Sequence, residues 1–263
     1  MNTLINILKL HKLNYSISNK STIPIMSNSI NNWASKDGQF RRQVSAFRSE
    51  IKNGTEFPPD VGRYHLVVSD ACPWAHRVKI LRSLKGLEDI LPMSIVHPFL
   101  GEKGWSFDTS FNGSTGSRIP NLNVSHLRDV YFKADPNYSA RFTVPIIYDT
   151  VQETIVSNES SEIIRFLNTC FDDFIDSDKA SINTYPEHAR KEIDELNSWV
   201  YDKINNGVYK SGFASTQTAY ESNVVPLFEA LDKVEGILSD GRQYLVANQL
   251  TEADIRLYTT IVK

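Results

Sequence analysis

The chain has almost no cysteine: two in 263 residues, Cys72 and Cys170. Two thiols are too few for a disulfide scaffold and have no metal-ligand spacing, so no metal is expected and a reducing compartment is the natural setting. No apolar run approaches the roughly 20 residues that a membrane-spanning helix needs, which points to a soluble chain with no membrane partner. A basic excess is missing as well: 28 Lys and Arg stand against 31 Asp and Glu, a formal net charge of −3. A phosphate-reading surface would show basic blocks, so nucleic acid is set aside as a partner. Acid is absent from residues 1–36, which hold Lys9, Lys12 and Lys20 among Ser and Asn. That start, with LINILKLHKL able to form a short amphipathic helix, resembles a mitochondrial presequence, although it lacks the Arg such leaders favour. The other reading is a cytosolic extension, with translation able to begin at Met26. The expected localisation is cytoplasmic, with mitochondrial import as the alternative.

What the chain does have is an ordinary globular balance, 41% hydrophobic and 22% charged, and length enough for two modest domains. Residues 1–60 read as an extension wrapped on a domain, with Phe40, Val44 and Phe47 available to dock. Arg63 to Ser69 then reads as a strand and Pro73 to about Leu87 as a helix, with Trp74, Val78, Leu81 and Leu84 at helical spacing. Met93 to Val96 is a second strand, and the absence of a hairpin turn makes the three a parallel βαβ unit. A polar loop rich in Gly and Ser runs to about His126, interrupted by Trp105 and Phe107; loops of that length in compact domains are often functional. A short helix at Leu127 to Lys133 follows, then strands in RFTVPIIYDT and ETIVS joined at Asp149-Thr150, then a helix in SSEIIRFLNT.

That order defines a thioredoxin-like domain over 61–172. From Pro186 the pattern is helical, so 186–263 is a second, all-α domain. Its last helix opens with Thr251-Glu252-Ala253-Asp254, an acidic variant of the capping box. Ile255, Leu257, Tyr258, Ile261 and Val262 then have no downstream helix to cover them, and the domain reads as incomplete, its chain truncated.

A lone cysteine is most often a small buried hydrophobe, and Cys170, at the end of an apolar helix, is read that way. Cys72 has a different setting. The chain leaves a strand and enters a helix at Pro73, a residue suited to the first helical position. Unpaired N–H groups and the positive end of the helix dipole then face the sulfur, an arrangement that lowers a thiol pKa from about 8.5 to as little as roughly 3.5–7.5. His76 and Arg77 stand where they can add to the effect. Position 75 is alanine, so CPWA cannot close an internal disulfide. The thiolate must attack a substrate, form a mixed adduct and be released by an external thiol. In thioredoxin-like folds the proline before the third strand is cis and the residue before it presents its backbone to a bound thiol peptide; Val144-Pro145 stands there, although an ordinary strand-opening proline is also compatible. At the next helix start, Glu159 and Ser160 sit where N–H groups and a hydroxyl can hold a carboxylate and where a Glu can hold an ammonium. The γ-glutamyl end of glutathione carries both charges.

These residues resemble the xi class of glutathione transferases, the glutathionyl-hydroquinone reductases. The match runs from about Trp33 to Val262 on ACPWAHR (71–77), the Gly104-Trp105-x-Phe107 segment, RFTVP (141–145), SNES (157–160), NNGVYKSGFA (205–214) and LTEADIRL (250–257). CPWA alone is shared with the omega class. The resemblance implies a thioredoxin-like glutathione-binding domain before a helical transferase domain, glutathione as co-substrate, and a glutathionylated aromatic partner. It implies attack by Cys72 on the glutathione sulfur of a glutathionyl-hydroquinone and release by a second glutathione. By the same resemblance Trp105, Val144, Pro145, Glu159 and Ser160 line the glutathione site, with Arg141 either assisting or held in a structural ion pair. Tyr209 turns its hydroxyl to the aromatic substrate, and a full-length form is a homodimer. The alternatives are an omega-like thiol transferase or dehydroascorbate reductase using the same cysteine, or a transferase-like fragment that binds without turning over.

Overall fold

In a computed structural model of the chain, residues 33–263 are described. The amphipathic LINILKLHKL stretch and Met26 lie outside them. The described residues fall into two units, one of Gln43–His188 with Tyr258–Lys263, the other of Ala189–Leu257 with the chain up to Arg42.

The first unit is built on a four-stranded sheet. β1 (Tyr64–Val68) runs into α1 (Pro73–Leu84) and returns as β2 (Met93–Ile95); α2 (Leu127–Ala134), β3 (Ile146–Asp149), β4 (Thr154–Ser157) and α3 (Ser160–Leu167) follow. The strands lie in the order β2-β1-β3-β4. β1 pairs with β2 in parallel, Leu66 opposite Met93, and with β3 antiparallel, Leu66 opposite Ile147. This is the thioredoxin-like arrangement. Every residue of β1 is buried, as a near-continuous apolar run covered on both faces should be. α1 packs on α3 and α2 lies against β4, closing a core that includes Leu66, Val67, Val78, Leu81, Ile146, Ile147, Ile163 and Leu167. Each such side chain contributes about 1.5–3 kcal/mol by leaving water. The β3–β4 connection is longer than the expected two-residue turn: it takes residues 150–153, with Glu153 at φ 54°. Asp149 holds it by accepting the Val151 N–H at 2.8 Å and the Arg63 Nε–H at 3.0 Å.

The segment before the sheet is partly core. Ile51 and Phe57 are buried in the same cluster, Phe47 packs against Tyr131 and Tyr138, and Ser49 N–H donates to the Val156 carbonyl at 3.0 Å, covering the open edge of β4. Val44, expected to dock, is 79% exposed. It flanks the side chains that do reach inward.

In the second unit α5 (Arg190–Val200) passes through a π-helical turn (Tyr201–Asn205) into α6 (Gly207–Gly212) and then α7 (Gln217–Leu238), the single turn α4 (Ser177–Ala180) belonging to the first unit. α7 starts earlier than its apolar spacing suggests, because Thr216 Oγ1 accepts the Ala219 N–H at 3.2 Å and Pro226 is accommodated inside the helix. At the start of α8 (Glu252–Ile261) Asp254 accepts the Thr251 N–H at 2.9 Å, the Thr251 hydroxyl at 3.0 Å and the Leu245 N–H at 2.8 Å. The acidic capping box is present, and it also fastens the loop before the helix.

Candidate active site

Cys72 is the last extended residue before α1, at φ −99° and ψ 116°, with Pro73 in the first helical position. Its N–H closes a turn on the Ser69 carbonyl at 3.1 Å, and its own carbonyl accepts the first helical N–H, from His76, at 3.1 Å. The side chain is buried, with Sγ 3.5 Å from the Val144 carbonyl. The Val144–Pro145 peptide is cis. The end of β1, the start of α1 and the loop before β3 therefore meet at one sulfur.

Of the two first-turn residues expected to assist that sulfur, His76 does not supply a charge. Burial, with the nearby Lys263 and Lys79, pushes its pKa below the ordinary 6.5, so it is neutral at pH 7. Arg77 is buried with its guanidinium 4.5 Å from the Trp74 ring centre, and its charge reaches Glu159.

The corner between β4 and α3 is the second part. Glu159 is the cap of α3: Oε1 accepts the Ser161 N–H at 3.0 Å and the Ser161 hydroxyl at 2.8 Å, and Oε2 accepts the Ser45 hydroxyl at 3.0 Å. Burial opposes its ionisation, but the bonds from Ser161 and Ser45 and the Arg77 charge prevail, holding the carboxyl below its ordinary value. Ser160, first in α3, is buried, and its hydroxyl has no hydrogen-bond partner among the described residues. A buried hydroxyl without a partner at a helix N-terminus is available to a ligand acceptor.

Tyr131 joins these two parts, and nothing in the sequence singled it out. Its fully buried hydroxyl donates to the Thr143 carbonyl at 2.8 Å, two residues before the cis proline, and accepts from Asn158 Nδ2 at 3.1 Å. Burial pushes this phenol up to about 12, so it stays a donor.

Trp105 is half-buried in the loop between β2 and α2, packed on the core, its carbonyl accepting the Leu127 N–H at 2.9 Å. Arg141 has its backbone held on both sides, its N–H on Gln43 Oε1 at 3.3 Å and its carbonyl on the Tyr138 hydroxyl at 2.9 Å. Cys72, Trp105, Arg141, Val144, Pro145, Glu159 and Ser160 all belong to the first unit. Tyr209 belongs to the second, on α6, with the Arg42 guanidinium 4.7 Å from its ring centre and Phe40 and Phe213 at 5.8 and 5.7 Å. Among the described residues no group of three or more His, Cys, Asp or Glu is placed to hold a metal, and no helix is long and apolar enough to cross a membrane.

Two family models match the chain, glutathione S-transferase N-terminal domain over residues 71–170 and glutathione S-transferase C-terminal domain over 217–262. Glutathione S-transferase omega-like 2 of Schizosaccharomyces pombe is 52% identical over 242 residues, covering 90% of this chain and 76% of that protein. Glutathionyl-hydroquinone reductase YqjG of Escherichia coli is 50% identical over 237 residues, covering 87% of this chain and 70% of its own. Its glutathione-bound structure matches with TM-score 0.76 over 86% of this chain and 73% of that one, at 47% identity. The glutathione transferase Xi of Phanerochaete chrysosporium, also solved, is 52% identical with TM-score 0.84, over 87% and 73% of the two chains.

Proposed function

The chain belongs to the glutathione transferases, in their xi class, and from that premise we propose that it reduces glutathionyl-hydroquinones to hydroquinones at the expense of glutathione. The observation that carries the proposal is a single thiol, with no second cysteine beside it, at the N-terminus of α1 and 3.5 Å from the carbonyl of the cis-proline loop. A monothiol there can form and release a mixed disulfide but cannot close one internally.

In the first step the Cys72 thiolate attacks the glutathione sulfur of the substrate. An S–S bond forms, the aryl C–S bond breaks, and the aromatic carbon takes up a proton to become hydroquinone. In the second step the thiolate of another glutathione attacks the glutathione sulfur of the mixed disulfide and expels Cys72. The thioether sulfur of the substrate and the thiol of the second glutathione have then become one molecule of glutathione disulfide, and the two electrons those sulfurs give up have replaced an aryl C–S bond by C–H.

Recognition of glutathione falls to the first unit. Glu159, ionised at neutral pH, suits the γ-glutamyl ammonium, and the Ser160 hydroxyl with the α3 N–H groups suits its carboxylate. The Val144 backbone suits the peptide portion, and Trp105 and Arg141 are assigned to the same ligand. Tyr209 is assigned to the aromatic substrate, a full-length form is taken as a homodimer, and the localisation as cytoplasmic, with mitochondrial import as the alternative. The omega-like name of the fission yeast relative favours one second reading, a glutathione thiol transferase acting on other mixed disulfides or on dehydroascorbate.

The test is reduction of a glutathionyl-hydroquinone by the purified chain with excess glutathione, beside Cys72→Ala and beside dehydroascorbate as substrate. Hydroquinone and glutathione disulfide formed in equal amounts, and lost in Cys72→Ala, are the expected result. Turnover of dehydroascorbate alone moves the assignment to the second reading, and hydroquinone formation surviving in Cys72→Ala sinks the mechanism.

A further inference from the structure

We propose that Ser45, which lies before the matched transferase domains, is a positioning residue of the glutathione site and acts through Glu159. The inference rests on the reading of Glu159 as the group that receives the glutathione ammonium. Glu159 and Ser45 are 114 residues apart, and the Ser45 hydroxyl donates to Glu159 Oε2 at 3.0 Å. The same hydroxyl lies 3.4 Å from the Asn158 carbonyl.

The other oxygen is already fixed. Ser161 donates twice to Oε1, through N–H and hydroxyl, which anchors one end of the carboxylate but leaves its plane free to turn about that anchor. A donor to Oε2 from a different segment sets the plane, and with it the direction of the remaining lone pairs. An ammonium bound by one or two charge-assisted hydrogen bonds depends on that direction. Preorganisation of the acceptor, rather than a new contact with the ligand, is what Ser45 contributes.

Ser45 can do this only if its own segment is held, and it is held on both sides. Upstream, Gln43 Oε1 accepts the Arg141 N–H at 3.3 Å. Downstream, Phe47 and Asn158 exchange hydrogen bonds, Phe47 N–H to Asn158 Oδ1 at 3.2 Å and Asn158 N–H to the Phe47 carbonyl at 3.1 Å. Arg48 Nε lies 3.0 and 2.9 Å from the two carboxylate oxygens of Glu162. Residues 43–48 thus form a strap that touches the cis-proline loop at one end and α3 at the other, with Ser45 between.

The experiment is glutathione titration by calorimetry, with steady-state kinetics alongside, on wild type, Ser45→Ala, Ser45→Thr and Glu159→Gln. It is repeated with a glutathione analogue lacking the α-amino group. We expect Ser45→Ala to weaken glutathione binding by roughly five- to tenfold, to raise the KM for glutathione by a similar factor and to leave kcat at saturating glutathione unchanged. Ser45→Thr, which keeps the hydroxyl, restores binding, and the analogue binds wild type and Ser45→Ala equally.

Equal weakening toward the analogue means that the substitution merely loosens the fold, and overturns the inference. Wild-type binding by Ser45→Ala while Glu159→Gln binds weakly overturns it too, and leaves the glutathione site standing. If Glu159→Gln binds as wild type does, the reading of Glu159 fails and the inference falls with it.

Discussion

Cys72 and Cys170 differ in what surrounds each sulfur, and the difference predicts their chemistry. Cys170 follows α3, and burial, helped by the Asp172 charge, pushes its thiol well above the ordinary 9.0; at pH 7 it has almost no thiolate. Cys72 stands at the start of α1 with Pro73 first in the helix, and the proposed mechanism requires it to be the thiol that ionises. Iodoacetamide at pH 7 is therefore expected to modify one cysteine per chain, Cys72, as read by peptide mass mapping. Comparable labelling of Cys170 would contradict the assignment. Glu159 allows a second test at this scale, because its folded pKa lies below the ordinary 4.5. A depressed carboxylate adds stability that is present above the unfolded value and lost as pH falls through the folded one. The gap in melting temperature between wild type and Glu159→Gln should thus be largest near neutrality and shrink as the pH drops below 4.5. A gap that persists unchanged to pH 3 would show that the ionised carboxylate is not what the hydrogen bonds stabilise.

At the scale of elements, what could be read in advance was local in sequence, and what could not was long-range. Strand, helix and strand from Tyr64 to Ile95 follow from apolar spacing and Pro73, and the parallel pairing of β1 with β2 follows from the missing hairpin turn. The capping of α8 was legible because Thr251 and Asp254 are three residues apart. Tyr131 was not: it is one aromatic among several on or near α2, and only the folded chain brings Thr143 and Asn158 to its hydroxyl. Ser45 and Gln43 were hidden for the same reason, their partners lying about a hundred residues away. For His76, expected to assist Cys72, sequence could not report the burial that lowers its pKa. These networks predict their own disruption. Tyr131→Phe keeps the ring but leaves the Thr143 carbonyl and the Asn158 amide short of a buried partner, and is expected to cost about 1–3 kcal/mol in urea unfolding. Asp254→Ala removes the acceptor of two N–H groups and a hydroxyl at the start of α8 and should cost about 2 kcal/mol. Midpoints unmoved by either substitution would mean that the bonds add nothing to stability.

For the whole molecule, the location of the groups assigned to glutathione in one unit has a thermodynamic consequence. The groups assigned to glutathione, from Cys72 through Val144 to Glu159 and Ser160, all lie in the unit of Gln43–His188. That unit also contains the sheet and its core. On the proposed assignment glutathione binds this unit only when it is folded, and its binding free energy adds directly to the unit's stability. At a concentration one hundred times the dissociation constant the gain is about 2.7 kcal/mol. A unit of this size shifts by roughly 2–4 °C per kcal/mol, so glutathione should raise its melting temperature by about 5–11 °C. Cys72→Ser should show nearly the same rise, because recognition rests on the γ-glutamyl groups and the loop backbone rather than on a covalent bond. Glu159→Gln should show a smaller one. A melting temperature that does not move with glutathione in wild type would remove the ligand from this unit, and with it the mechanism built on Cys72; a rise that vanishes in Cys72→Ser would mean that the thiol itself, not the α3 corner, holds the tripeptide.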